Sequence, residues 1–430
     1  MTPTKTPEVC TTRLANGATV LTESMPGLRS ATVGIWIKRG SRHEDAPANG
    51  MCHFIEHAVF KGTTTRSALD IAVESDRLGG HFDAYTSHEL TGFSLKVIDD
   101  AVPRAFDLLA DMLLRPRFDA AELAREQKVI IEEMKMVEDT PDEWLGELFN
   151  AAYFPNHPLG RPIEGTEKTV SKFDNELTRR FHAEAYHPRN LVIAAAGNIR
   201  HEQIVELAER AFADSTANSS DAAAPLITAV PAPAAPILLK RKKELEQAHL
   251  LIAAPWPSAR DDERYAASLL ASVLGGGTSS RLWQAIREER GLAYSVGAAA
   301  SGFLDVGVFQ IYAGTSPEQL DEVLDLSLAE MRRVVREPVG DDELQLAKDQ
   351  AVASILLGLE STSARAGTLA RQEITHGRRT APDEIIRRLE AITPEDMQQV
   401  ARARFCTDAI ALGALGNLNG FKVDRSRLTI

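Results

Sequence analysis

Cysteine is scarce: three residues in 430, at Cys10, Cys52 and Cys406. Odd in number and far apart, they offer no disulfide framework, so a reducing, cytosol-like compartment is expected. The opening "MTPTKTPEVC" lacks the apolar stretch of a secretory leader, and no apolar run approaches the roughly 20 residues of a membrane span. A soluble, cytoplasmic chain is expected. Positive charge is in deficit, with 48 Lys and Arg against 61 Asp and Glu and a formal net charge of −13. That balance argues against nucleic acid or an anionic membrane as partner and favours neutral or basic ligands. The glycine run "GGGTSS" is not followed by the Lys-Ser/Thr of a phosphate-binding loop, so it reads as a turn between two helices.

With 44% apolar and 25% charged residues, the composition is that of a globular protein large enough for two cores. The stretch "ADSTANSSDAAAPLITAVPAPAAP" has few large side chains and divides the chain nearly in half. It predicts an N-terminal domain over 1–213, a linker over 214–236 and a C-terminal domain over 237–430. Hydrophobic period gives the two halves a common order of elements. In the first, a hairpin signal at Asn16-Gly17 precedes a strand over 32–38, helices over 50–60 and 67–77, strands over 82–87 and 91–97, and helices over 101–113 and 119–139. In the second, a strand over 248–255, helices over 262–273 and 281–289, strands over 295–299 and 307–313, and helices over 317–335 and 342–359 follow the same plan. The expected fold class is α+β, with two similar domains from an internal repeat, each a mostly antiparallel sheet with helices packed on one face.

One stretch carries chemistry. In "HFIEHAVFKGT", His53 and His57 lie four apart and share one face of a helix, with Glu56 beside them, while their neighbours are apolar. Polar groups folded among apolar ones need a hydrogen-bonded partner or a metal ion. Two imidazoles supply half of a tetrahedral zinc site, and the adjacent carboxylate can act as a base; the order H-x-x-E-H is that of the inverzincins. The other reading is a core His–Glu pair. A third ligand is sought in "REQKVIIEEMKMVED". Glu132 has Lys128 and Lys135 at helical spacing and reads as a solvated ion pair. Glu133 has Val129, Ile130, Met136 and Val137 as neighbours, which places it on a dry face where a carboxylate needs a cation. Two turns earlier, Glu126 is either a support for a ligand or an exposed helix charge.

"NGMCHFIEHAVFKGT" together with "EQKVIIEEMKMVEDTPDEW" resembles the pitrilysin family of zinc metallopeptidases, in particular its mitochondrial-processing-peptidase branch and short bacterial relatives. Further matching motifs, among them "LGGHFDAYTSHELTGF", "YHPRNLVIAAAGNI" and "GGGTSSRLWQAIREERGLAYSV", spread the resemblance over nearly the whole chain. The resemblance implies a zinc endopeptidase with one Zn²⁺ per chain held by His53, His57 and Glu133, Glu56 as general base and Glu126 as supporting carboxylate. It implies that Arg287 and Tyr294 bind substrate and stabilise the oxyanion; without the motif they read as a helix charge and a strand aromatic. It implies that a peptide adds as a strand beside Phe82, Asp83, Ala84, Tyr85 and Thr86. It also implies a half-clamshell chain that pairs with another around a closed chamber, most simply as a homodimer, with a heterodimer of a zinc-bearing chain and a non-zinc paralogue as the other arrangement. A non-catalytic peptide-holding subunit of such a complex is the alternative function. Asp83 stands where the family has Asn, which would favour basic substrates, and Cys52 and Ala58 where it has Ala and Met; Cys52 reads as a small core residue.

Overall fold

The computed structural model describes residues 9–212, 230–418 and 420–430; of the expected linker, 214–229 lie outside these. Eleven strands are described: β1 (Val9–Arg13), β2 (Thr19–Ser24), β3 (Ser30–Ile37), β4 (His81–Thr86), β5 (Thr91–Ile98), β6 (Leu191–Gly197), β7 (Ile237–Arg241), β8 (Ala248–Trp256), β9 (Ala293–Gly302), β10 (Gly307–Thr315) and β11 (Ala411–Gly416). They form two sheets, in the orders β1-β2-β6-β3-β5-β4 and β7-β11-β8-β10-β9. Every pairing is antiparallel except β2 with β6 and β7 with β11. Without β1, the two orders describe one path taken twice, with the parallel pair and the edge strand in equivalent places. The repeat read from the sequence is thus present in the topology, and the fold is of mixed α and β layers as expected.

The chain divides into two compact units. One comprises 9–135, 161–212 and 357–379; the other comprises 136–160, 230–356 and 380–430. The first five helices are α1 (Met51–Ala58), α2 (Ala68–Leu78), α3 (Val102–Leu114), α4 (Ala120–Asp139) and α5 (Pro141–Tyr153). In the first unit Leu191, Ile193 and Ala195 of β6 pack in one core with Phe54 and Ile55 of α1 and Phe106 and Leu109 of α3. The alternate residues Val192, Ala194 and Ala196 face the other side, against Ala366, Leu369 and Ala370 of the helix Thr362–His376. A strand buried on both faces is apolar throughout, as "LVIAAAG" is. The second unit repeats the device. Leu250 and Ile252 of β8 pack with the helix Arg264–Gly275, and Leu251 and Ala253 with Leu145, Phe149 and Tyr153 of α5. Each sheet therefore carries, opposite its main helical layer, one helix drawn from the other half of the sequence.

In α1 the buried residues Met51, Phe54, Ile55 and Ala58 recur at i, i+3, i+4 and i+7, which buries one face and turns His53, Glu56 and His57 to the other. The helix begins at Gly50, with φ +97° and a hypothetical Cβ 2.5 Å from the Glu164 carbonyl oxygen, so both conformation and space demand glycine. Among the described residues no helix is long and apolar enough to cross a membrane.

Candidate metal centre

The polar face of α1 meets α4, and the contact is acidic. The candidate ligand atoms of His53, His57 and Glu133 all lie within 4.8 Å of one another, and among the described residues no second group of potential ligands is so gathered. His57 Nε2 stands 3.5 Å from Glu133 Oε2. Neighbouring corners of a tetrahedron with bonds of about 2.1 Å have about that separation. On its other side His57 Nδ1 is 3.2 Å from Glu126 Oε2; a proton shared there leaves Nε2 with its lone pair toward Glu133. Lys61 Nζ, one turn beyond His57, pairs with Glu126 Oε1 at 2.8 Å.

The protonation balance follows from these contacts. Burial, with the His57 charge added, lowers His53 to about 4, so its imidazole is neutral at ordinary pH and able to ligate. The buried Nδ1 of His53 has no hydrogen-bond partner among the described residues. Burial also acts against a charged His57, but the Glu126 hydrogen bond and the charges of Glu133 and Glu56 outweigh it and raise its pKa. Burial raises Glu133 and Glu56. For Glu126 burial is outweighed by His57 and Lys61, and its pKa is lowered. Three carboxylates thus crowd His57 against one ammonium group, an imbalance that a divalent cation corrects. Two imidazoles and one carboxylate are a donor set that suits zinc in a catalytic site, and the residues present fit it.

Glu56 lies outside the triad. Its Oε2 accepts from Thr86 Oγ1 at 2.5 Å, a contact that joins α1 to β4. β4 is the edge of its sheet, hydrogen-bonded to β5 on one side. Phe82 and Ala84 pack toward the core, Phe82 edge-on to Phe60 at 5.0 Å between ring centres, and Tyr85 accepts from Trp36 Nε1 at 3.2 Å. Arg287 and Tyr294 lie in the second unit. Arg287 Nη1 donates to the Tyr294 carbonyl at 2.7 Å, and its guanidinium stacks 4.1 Å from the Trp283 ring centre and 4.5 Å from that of Tyr294, which is 78% exposed. The helix expected over 281–289 is a π-helix across Trp283–Glu288, with Glu289 N donating to Gln284 O five residues back at 3.0 Å.

The surroundings of Glu133 differ from those expected from the sequence. Glu133 does not stand on a dry face: Val129 is 43% and Met136 68% exposed, and of its helical neighbours Ile130 is the buried one. Glu133 meets His57 because the inward stripe of α4 is Leu123, Glu126, Ile130 and Glu133, at spacings of three and four. The same stripe buries Glu126, so it is no exposed helix charge. Glu132 pairs with Lys135 at 2.7 Å on the solvent side, as read. Two contacts were missed, Lys61 with Glu126 and Thr86 with Glu56; Lys61 lies past the end of α1, in the turn Val59–Lys61, where α-helical spacing no longer says which way a side chain points.

The family model described as "Insulinase (Peptidase family M16)" matches residues 19–167, which include the whole triad, and the model "Peptidase M16 inactive domain" matches 172–351. An uncharacterized zinc protease of Streptomyces coelicolor is 40% identical over 91% of this chain and 86% of its own length. The chain belongs to peptidase family M16. Another M16 relative, an uncharacterized zinc protease of Bacillus subtilis, is 39% identical over 92% of this chain and 96% of its own. Among solved structures, a protease from Helicobacter pylori superposes with a TM-score of 0.88 at 21% identity, covering 95% of this chain and 99% of the other. An M16 inactive domain from Pseudomonas fluorescens gives 0.86 at 22% identity, covering 95% and 98%. At such identities these two speak for the fold alone. The inactive-domain match falls on the part of this M16 chain that has no H-x-x-E-H.

Proposed function

We propose that this chain is a zinc-dependent endopeptidase acting on unfolded or presequence-like peptides. The convergence of His53, His57 and Glu133 on α1 and α4, with Glu56 adjacent but outside the triad, carries the reading. Zinc held by these three residues would supply a Lewis acid to polarise the scissile carbonyl and the attacking water. Glu56 takes a proton from that water and returns it to the leaving amine; burial raises its pKa toward the range in which a carboxylate exchanges protons usefully. The Thr86 hydroxyl fixes Glu56 Oε2 and so sets the base against the edge strand. A peptide in extended form pairs with β4, whose backbone bonds tolerate many side chains, while Asp83 favours basic ones. Glu126, braced by Lys61, orients His57.

Arg287 and Tyr294 stabilise the oxyanion. In this proposal they serve the zinc of a second copy of the chain, in a homodimer, since one chain carries both sets of residues. A subunit that only holds peptide would have no use for the base. Replacing Glu56 by Gln keeps the ligands and removes the base: the Glu56→Gln chain is expected to bind zinc like wild type and to lose peptide cleavage by about a thousandfold or more. Undiminished cleavage by that variant, or none by wild type loaded with zinc, would refute the endopeptidase reading.

A further inference from the structure

Segment 40–44 lies between β3 and α1 and is bonded in two directions. Toward the turn joining β4 to β5, Ser41 N donates to Ser87 O at 3.1 Å, Arg42 N donates to His88 O at 2.9 Å, and Ser41 Oγ meets His88 Nδ1 at 2.8 Å. The buried Arg42 guanidinium pairs with the Glu89 carboxylate. The approach is so close at Gly40 that a Cβ would lie 2.2 Å from Ser87 O. Toward α1, the buried carboxylate of Glu44 covers the helix N-terminus. Its Oε2 accepts from Gly50 N at 2.7 Å and Asn49 Nδ2 at 3.2 Å, and its Oε1 accepts from Cys52 N at 2.7 Å. These amides need an acceptor from elsewhere, because the residue at the helix start is a glycine with no side chain to offer. Two buried ionisable residues, Arg42 and Glu44, are thus placed on five residues of chain, and the chemistry above uses neither.

We propose that segment 40–44 is a strap that keeps edge strand β4 in register with the ligand-bearing helix α1, with Glu44 a positioning residue for His53 and His57 and Arg42 a positioning residue for β4. The inference rests on the endopeptidase reading. An eight-residue helix derives little orientation from its own hydrogen bonds, so its direction is set by what holds its ends. Two short hydrogen bonds from the Gly50 and Cys52 amides to the buried Glu44 carboxyl group are directional and hold the first turn, with the histidines behind it, in place. Because the peptide backbone and the ligands must meet within a fraction of an ångström, the two frames need a common anchor.

The two ends of the strap predict different defects. In the full chain, Glu44→Gln keeps the side-chain shape and one acceptor; it is expected to lower zinc affinity, read by competition with a chromophoric chelator, and kcat by about tenfold each, with KM unchanged. Arg42→Lys keeps the charge and loses the fork; it is expected to raise KM for an unfolded peptide by about tenfold, with zinc affinity unchanged. Should either chain fail to fold, Glu44→Asp and Ser41→Ala report the same division with smaller lesions. Variants that alter zinc affinity, kcat and KM alike, or only the unfolding temperature, overturn the strap. Wild type that neither binds zinc nor cleaves peptide overturns the reading of the site and the strap with it, and that control tells the two failures apart.

Discussion

Glu126 and Glu133 show how far a single side chain is legible in sequence. The sequence marks both as candidate carboxylates on α4, but apolar neighbours are not what places Glu133, because Val129 and Met136 are exposed. What places both inward is the stripe they share with Leu123 and Ile130, a pattern in which a carboxylate takes a position that packing would give to leucine. Glu126 bears on His57 directly, and Lys61 bears on Glu126. Replacing Glu126 by Gln is expected to weaken zinc binding by about tenfold or more, and Lys61→Met, which leaves the Glu126 contact with His57 in place, by less. Chelator competition on the two variants checks the order; a larger loss for Lys61→Met would contradict it.

Among the elements, those with a clear period or turn signal were legible. The strands over 32–38, 82–87 and 91–97 correspond to β3, β4 and β5, and the helix over 119–139 to α4. Less legible was the role of Thr362–His376 and of α5, each of which covers a sheet face formed by the other half of the sequence. Local pattern shows that a helix has an apolar stripe; it does not show which sheet receives that stripe. Equally silent was the fastening of the loop after α1, where Asp111 of α3, wholly buried, accepts from Thr63 Oγ1 at 2.6 Å and Thr65 Oγ1 at 2.8 Å and pairs with Arg66 and Arg115. Burial acts against its charge, but Thr63, Arg115, Arg66 and Thr65 outweigh burial and hold its pKa at about 2. An unfolded Asp titrates at about 3.9, so on acidification the unfolded chain takes up the proton first. The stabilisation is therefore complete above about pH 4 and is lost as the pH falls through about 2. Asp111→Asn is expected to cost about 2 kcal/mol near neutral pH, with the difference from wild type vanishing in strong acid. A pH series of unfolding midpoints checks this, and a difference that persists unchanged at the acid end would refute it.

At the scale of the molecule, one topology is used twice and equipped unequally. The first unit carries the candidate ligands His53, His57 and Glu133 and the proposed base Glu56; the second carries Arg287 and Tyr294, drawn together by the hydrogen bond and the stacking of the guanidinium. The repeat was readable because period and order recur in the two halves, whereas the composition of each unit was not, because segments 136–160 and 357–379 cross between them. If the two sets of residues act across a homodimer, a chain with Glu56→Gln and a chain with Tyr294→Phe are each impaired alone and regain cleavage when mixed and allowed to exchange subunits. Failure to recover would remove the proposal that they act in trans. The proposed site requires less than the dimer: a single zinc ion between α1 and α4. An anomalous-difference map recorded at the zinc edge from crystals of the wild-type chain tests it most directly. One peak per chain is expected, bonded by His53, His57 and Glu133 with Glu56 outside its coordination; a peak elsewhere, or none in zinc-saturated crystals, would refute the site.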